Sequence, residues 1–399
     1  MDSFMKRVEI GASERLSGTG EYYFSRKNRE IEALRAAGKD IISLGIGSPD
    51  MPPHVSVIEC LAAEAARPDT HGYQSYKGIP QLREAFASWY GRWYGVELDP
   101  ATEILPLLGS KEGLMHIFQA FVNPGDKVLI PDPGYPTYRS AAALSGGIPV
   151  PYALKAERGY MPDFGAIERA GLDGVKIMVI NYPHMPTGTK PTRELFGQLV
   201  DFALKHNILL VHDNPYSFIR NDLQLSILSV DGGREAALEL NSLSKGHSMA
   251  GWRMGMLAGR QEWIDTVLRF KSNMDSGMFY PLQVAAAKAL SLGASWFGEL
   301  NRIYYSREAL GYELLDVLGC TYSKGQAGLF IWASLPGDYE GDCFSFSDEV
   351  LNRCDVFVTP GGIFGEEGMR FIRISLCVPE EKIRLAIEKI KTNMNNTAK

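Results

Sequence analysis

Ser242-Leu243-Ser244-Lys245-Gly246-His247-Ser248-Met249-Ala250-Gly251-Trp252-Arg253-Met254-Gly255 is the stretch whose reading decides the fold. A lysine lies among small and polar residues, and an arginine follows eight positions later. Ala237-Leu238-Glu239-Leu240 precedes the stretch and Met254-Gly255-Met256-Leu257-Ala258 follows it. The pattern predicts strand, loop, strand, with Lys245 in the loop. Most lysines are solvated surface charges. Position alone therefore makes Lys245 an ordinary surface residue, and its neighbours must decide whether it is more.

Outward from that stretch, short β-branched and leucine runs alternate with helical patterns. Strands are expected at 104–108, 127–131, 175–181, 208–212, 238–240 and 254–258, with helices at 109–121, 135–145 and 192–206 among them. Such alternation implies an α/β fold whose mostly parallel sheet is covered by helices. Ligands of such sheets bind at the loops beyond the C-terminal strand ends. Upstream, 22–37 reads as a helix stopped by Gly38, 41–50 as a short strand breaking into a Gly/Pro loop, and 53–66 and 81–94 as helices. Downstream, 263–294 and 296–318 are long helical patterns. Strands follow at 327–333, 356–359 and 370–376, and a helix at 379–394 closes the chain. The expected organisation is an N-terminal arm and helix over 1–45 packing with a small domain, a large domain over 46–290, and a smaller α+β domain over 291–399.

Composition narrows the function classes. The 399 residues are 45% hydrophobic and 22% charged, as in a soluble globular protein. A formal net charge of -6 argues against a nucleic-acid surface. Cys60, Cys320, Cys343, Cys354 and Cys377 are scattered, with no CxxC pair, so reduced thiols are expected and no metal-ligand set is read. The N-terminus has no signal-peptide apolar region, and no apolar run approaches the ~20 residues that span a bilayer. A cytoplasmic protein without a membrane or nucleic-acid partner is expected.

The loops carry the chemistry. Asp213-Asn214-Pro215-Tyr216 closes a strand. An acid there is commonly a helix cap and the tyrosine packing, but the pair also has a chemical use. A carboxylate against a pyridine nitrogen keeps it protonated, and a tyrosine can hydrogen-bond a ring phenolate. Gly109-Ser110-Lys111 opens a helix, where backbone N–H groups and the helix dipole suit a phosphate; Lys111 would contribute its backbone. Lys245 can form an imine with an aldehyde cofactor, and Arg253 can pair a phosphate bidentately. Together these groups describe pyridoxal 5′-phosphate.

At this point the residues resemble the class I/II aminotransferases, fold type I pyridoxal-phosphate enzymes, over about 22–391. The resemblance implies a role for each motif. Gly47, in Leu44-Gly45-Ile46-Gly47-Ser48-Pro49-Asp50, looks like the glycine that approaches the substrate carboxylate. Tyr73 is similar to the tyrosine that reaches the partner subunit's cofactor phosphate in a homodimer with shared active sites. Gly109, Ser110 and Lys111 match the phosphate loop, and Tyr135 the aromatic stacked on the cofactor ring. Asp213 and Tyr216 match the pyridine-nitrogen and phenolate partners. Ser242, Lys245 and Arg253 match the phosphate serine, the Schiff-base lysine and the phosphate arginine. Arg373, in Phe371-Ile372-Arg373-Ile374-Ser375, matches the clamp on the substrate α-carboxylate.

One departure stands out. Where the family reads Asn-Pro-Thr-Gly, this chain reads Met185-Pro186-Thr187-Gly188. The family's asparagine donates to the cofactor phenolate, and methionine cannot donate. Either Met185 simply fills the space beside Tyr216, or the lost donor raises the pKa of the cofactor–lysine imine. His184 or Asn181 could supply a substitute donor.

The implied reaction is transamination between an L-amino acid and a 2-oxo acid, such as 2-oxoglutarate, with Lys245 as base then acid and ping-pong kinetics. The substrate side chain is poorly determined. Residues 271–280 carry no arginine for a second carboxylate, and Lys271 reads as solvated. The segments 72–78 and 131–136 look similar to the LL-diaminopimelate aminotransferase branch, while neutral, aromatic and sulfur-containing amino acids stay open. Two rivals also remain. One is another fold type I enzyme, such as a β-lyase, which would turn over without a 2-oxo acid. The other is a non-catalytic pyridoxal-phosphate-binding regulatory protein, although no basic DNA-binding arm precedes the core.

Overall fold

The computed structural model describes residues 7–16 and 19–394. Its main sheet has seven strands, in the order Ile104–Leu107, Gly255–Ala258, Ala237–Ser242, Leu209–Asp213, Val175–Ile180, Lys127–Asp132 and Ile148–Ala153. All neighbours are parallel except Gly255–Ala258, which runs against both of its partners. Successive side chains of a strand point to opposite faces. Ile177 and Val179 therefore join one core with Leu114, Ile117 and Phe118 of the helix Ser110–Phe121. Met178 and Ile180 join another with Phe86 and Tyr90 of the helix Pro80–Tyr94 and Leu199 of the helix Arg193–His206. Apolar residues at nearly every strand position are what a sheet buried on both faces requires.

Two elements depart from expectation here. The strand Ile148–Ala153 carries Pro149 and Pro151, which conceal it from a reading by pattern. It lies at the sheet edge, pairing only with Lys127–Asp132, where missing N–H groups are tolerated. The pattern at 263–294 is not one helix but two, Gln261–Lys271 and Tyr280–Leu290. Gly277 lies between them at φ +84°, and a Cβ there would stand 2.5 Å from the Gln74 carbonyl oxygen. The segment is thus pressed against the loop that carries Tyr73.

A second sheet of four strands, ordered Thr359–Pro360, Phe371–Ser375, Phe330–Ser334 and Thr321–Tyr322, is antiparallel throughout. The helices Ala294–Val317 and Glu380–Met394 contribute Leu314 and Ile387 to its core. The helix Cys343–Cys354 was not read from sequence; Asp342 caps it by accepting from the Phe344 and Ser345 backbone N–H groups. The N-terminal helix Tyr23–Ala36 packs nearby: Ile31 and Ile41 cluster with Leu351 and Phe357, and Lys27 donates to Asp348 at 3.0 Å.

Two arginines fasten the segments around the four-stranded sheet. Arg307, on the helix Ala294–Val317, donates to both Asp50 oxygens at 2.7 and 2.8 Å and to the Leu376 carbonyl at 2.9 Å. Arg220, fully buried, donates to the Gly328 carbonyl at 2.9 Å and pairs with Glu308. No described helix is long and apolar enough to cross a membrane.

Candidate active site

Lys245 is not in an open loop. It occupies a single helical turn, Leu243–Gly246, that follows the strand Ala237–Ser242. Ser242 caps the turn, its Oγ accepting from the Ser244 N–H at 3.0 Å. Lys245 Nζ donates to the Gly47 carbonyl at 2.7 Å. Burial pushes its pKa down, and the nearby Arg373 and Arg253 guanidinium groups push the same way. A lysine amine poised toward its neutral form can act as nucleophile and base.

Asp213 ends the neighbouring parallel strand, Leu209–Asp213. Tyr138 donates to its Oδ2 at 2.8 Å, while Oδ1 is buried with no hydrogen-bond partner among the described residues. Burial raises its pKa to about 6. An orphaned carboxylate oxygen in a cavity wall is costly unless a donor completes it, and a protonated ring nitrogen is such a donor. Tyr216 lines the same cavity, its phenol pushed well up by burial.

A third group lies at the start of the helix Ser110–Phe121. Gly109 precedes it at φ +89°, and a Cβ there would stand 2.4 Å from Arg253 Nη2. Only glycine lets the guanidinium come so close to the helix start. Arg253 itself holds the left-handed conformation at φ 59° and donates to the Ala250 carbonyl at 2.9 Å. Ser110 Oγ donates to the Asn241 carbonyl at 3.4 Å, and the Lys111 ammonium lies 5.4 Å from the Tyr22 ring centre. Helix N–H groups, two serines and a guanidinium make a cradle suited to a phosphate.

Arg373 closes the opposite side. Its guanidinium carbon is 3.7 Å from the Phe330 ring centre and 4.7 Å from that of Phe364. Nη2 donates to the Gly45 carbonyl at 2.9 Å, Nη1 lies 3.3 Å from Met185 Sδ, and Nε has no partner among the described residues. Burial lowers its pKa to about 10. A desolvated guanidinium with free donor capacity suits a carboxylate.

These groups converge. Gly47, Ser110, Lys111, Tyr135, Met185, Asp213, Tyr216, Ser242, Lys245, Arg253 and Arg373 line one cavity of about 420 Å³, with Gly109 behind Arg253. Tyr73 is outside it and 93% exposed. Of the two substitute donors, His184 is off the wall: its Nδ1 meets the Thr187 hydroxyl at 2.8 Å, and burial lowers its pKa to about 3. Asn181 is on the wall, donating to the Asp213 carbonyl at 2.6 Å and accepting from the Met185 N–H at 2.8 Å, and its amide carries a second hydrogen that can still donate. Lys271, read as solvated, is fully buried and ion-paired with Asp275. Sequence reasoning missed Tyr22, Phe24 and Asn28 from the N-terminal helix region, and Tyr138, which holds Asp213. Tyr138 follows Tyr135 by one helical turn, the only signal that could have found it.

Comparison with known proteins agrees with the geometry. The family described as aminotransferase class I and II matches residues 39–390, and the chain belongs to it. The LL-diaminopimelate aminotransferase of Desulforudis audaxviator is 41% identical over 381 residues, 95% of this chain and 97% of that one. Its counterpart from Moorella thermoacetica is 40% identical over 372 residues, 93% and 95% of the two chains. Among solved structures, apo-BacF from Bacillus subtilis superposes with a TM-score of 0.92 at 36% identity, covering 96% of this chain and 98% of that one. The protein is therefore a transaminase of fold type I that uses pyridoxal 5′-phosphate to move an amino group between an amino acid and a 2-oxo acid.

Two outcomes follow from the cavity. Asp213 must be ionised to pair with a pyridinium, and in the apoprotein it holds its proton up to about pH 6. Cofactor affinity of the apoenzyme is expected to rise with pH through that value, and the rise should flatten in Asp213→Asn; titration by absorbance reads both. Met185→Asn is expected to lower the pH at which the bound cofactor's visible absorbance titrates. An unchanged or higher midpoint would show that Met185 only fills space.

Proposed function

We propose that the enzyme transfers an amino group from LL-diaminopimelate to 2-oxoglutarate. The single observation that carries the chemistry is the convergence of Lys245, the orphaned Asp213 oxygen and the aromatic-sandwiched Arg373 on one cavity. The donor is suggested by the names of the relatives near 40% identity. It is consistent with Asn28 among the polar groups of the cavity lining, and with no lining arginine besides Arg253 and Arg373 among the described residues.

Each residue has a defined task in this reading. Gly109, Ser110, Lys111, Ser242 and Arg253 would hold the cofactor phosphate. Tyr135 would stack on the cofactor ring, Asp213 would pair its nitrogen, and Tyr216 would donate to its ring oxygen beside Met185. Lys245 would anchor the cofactor covalently until the substrate amine displaces it and frees the Lys245 amine. When bound, pyridoxal phosphate supplies an electron sink for the charge left at the substrate Cα. Arg373, with the backbone at Gly47, orients the substrate carboxylate so that the Cα–H faces Lys245. The Lys245 amine, kept toward neutral by burial, takes that proton and returns it at the other end of the transfer. Tyr22, Phe24 and Phe364 narrow the cavity and exclude water.

The enzyme acts in this reading as a cytoplasmic homodimer with shared sites. Tyr73, exposed in the single chain, reaches the partner subunit's phosphate; the five free cysteines fit a reducing compartment. The chain divides at about 45 and 290 into arm, large domain and small domain.

Two assays decide the reading. With 2-oxoglutarate as acceptor and glutamate as readout, LL-diaminopimelate is expected to give the highest kcat/KM of a donor panel. A neutral or aromatic donor that outperforms it overturns the substrate assignment, and product release without any 2-oxo acid would point to a lyase. Lys245→Ala is expected to lower turnover by about a thousandfold or more. Retained turnover would remove Lys245 from its role.

A further inference from the structure

We infer that Lys271, Asp275, Glu112 and His116 form a buried cluster of positioning residues that holds the phosphate turn in its binding conformation. The inference rests on the placement of the cofactor phosphate at Gly109, Ser110 and Lys111 proposed above. None of the four residues lines the cavity, so their action is indirect.

The cluster is built across two packed helices. Lys271 is the last residue of the helix Gln261–Lys271 and is fully buried. Its ammonium donates to both oxygens of Asp275, at 2.6 and 2.9 Å. A buried ammonium is tolerated only when paired, so Lys271 and Asp275 form a unit. Against it packs the helix Ser110–Phe121, which contributes Glu112 and the buried His116. His116 Nε2 lies 3.1 Å from Glu112 Oε1. The donor atoms of Glu112, His116 and Asp275 all lie within 4.8 Å of one another. That spacing would suit a metal ion, but the Lys271 ammonium already supplies positive charge at Asp275.

The link to the site is Glu112. Its other oxygen, Oε2, accepts from the Leu108 backbone N–H at 2.6 Å. Leu108 immediately precedes Gly109, whose left-handed φ lets Arg253 close on the helix start. Glu112 therefore fixes the chain entering the turn. Its negative charge, two residues beyond Ser110, would also oppose a phosphate dianion. Lys271 neutralises Asp275, whose carboxylate lies within 4.8 Å of the Glu112 and His116 ligand atoms, so that a second uncompensated charge is not added there. The cluster extends in the other direction too. Asp275 Oδ1 accepts from the Gly277 N–H at 3.2 Å, and Gly277 presses on Gln74, next to Tyr73. One set of buried charges thus supports the phosphate turn and the loop assigned to the partner's phosphate.

Cofactor dissociation constants of the full-length apoenzyme, with inorganic phosphate as competitor, test this. Lys271→Met is expected to raise the Kd for pyridoxal phosphate about tenfold or more, and to weaken phosphate competition in parallel. kcat at saturating cofactor should stay near wild type, a split that a general loss of structure would not produce. The double variant Lys271→Met with Asp275→Asn is expected to recover most of the affinity, because it removes the uncompensated carboxylate as well. If Lys271→Met does not fold, Glu112→Ala carries the test: its Kd should rise, and Glu112→Gln, which still accepts from Leu108, should restore it in large part. An unchanged Kd in a folded Lys271→Met or in Glu112→Ala overturns the inference. Arg253→Gln separates the two levels. A raised Kd there but not in the cluster variants sinks the cluster alone; no change in either removes the phosphate from this turn as well.

Discussion

Two glycines tie the two sheets together at the point of chemistry. The Gly45 carbonyl accepts from Arg373, which belongs to the four-stranded sheet, and the Gly47 carbonyl accepts from Lys245, which follows a strand of the seven-stranded sheet. Neither position can carry a side chain. A Cβ at Gly45 would stand 2.4 Å from the Phe357 ring, and one at Gly47 2.3 Å from Phe330. These two positions must therefore be bare backbone, thin enough to pass the Phe357 and Phe330 rings while their carbonyls meet Arg373 and Lys245. Its other fastenings come mainly from the four-stranded side: Ser375 donates to the Ile46 carbonyl at 2.6 Å, and Arg307 holds Asp50. Lys245 is thus addressed from across the boundary between the sheets.

Burial does the electrostatic work of the site. Lys245 and Arg373 are pushed toward their neutral forms and Asp213 toward its protonated form, each by loss of water. For Lys245 this favours the neutral amine that reacts, whereas for Asp213 and Arg373 a bound pyridoxal phosphate and a carboxylate substrate would favour the ionised forms. Opposite charges brought by the ligands restore what desolvation took. Two polar groups of the cavity wall brace Asp213: Asn181 donates to its backbone carbonyl and Tyr138 to its carboxylate.

Much of the site was legible because its chemistry demands residue types at strand ends. Asp213, Tyr216, Ser242, Lys245 and Arg253 each fall just beyond a short apolar run or in the turn after one, so recognising the strands placed them. Other features were hidden for definite reasons. The edge strand Ile148–Ala153 carries prolines that normally exclude a strand, and only its edge position permits them. The break at 272–279 lies within a stretch whose apolar residues read as one helical pattern; Asn273, Asp275, Ser276 and Gly277 interrupt it, and Gly277, at positive φ, packs against the 72–78 loop. Lys271 looked solvated because nothing in its local sequence shows that a second helix covers it.

The sequence by itself determined the class of fold and singled out most of the residues that the structure gathers around one cavity. Alternating buried runs specify a sheet covered on both faces, and a lysine, an aspartate, a tyrosine and an arginine in fixed order specify the chemistry. Only the tertiary structure decided which groups are completed by one another and which are left open. It left Asp213 Oδ1 without a partner, bonded Asn181 to backbone, turned His184 to Thr187, and laid Met185 against Arg373. Those outcomes depend on contacts between residues far apart in the chain, and local pattern does not carry the distances that decide a hydrogen bond.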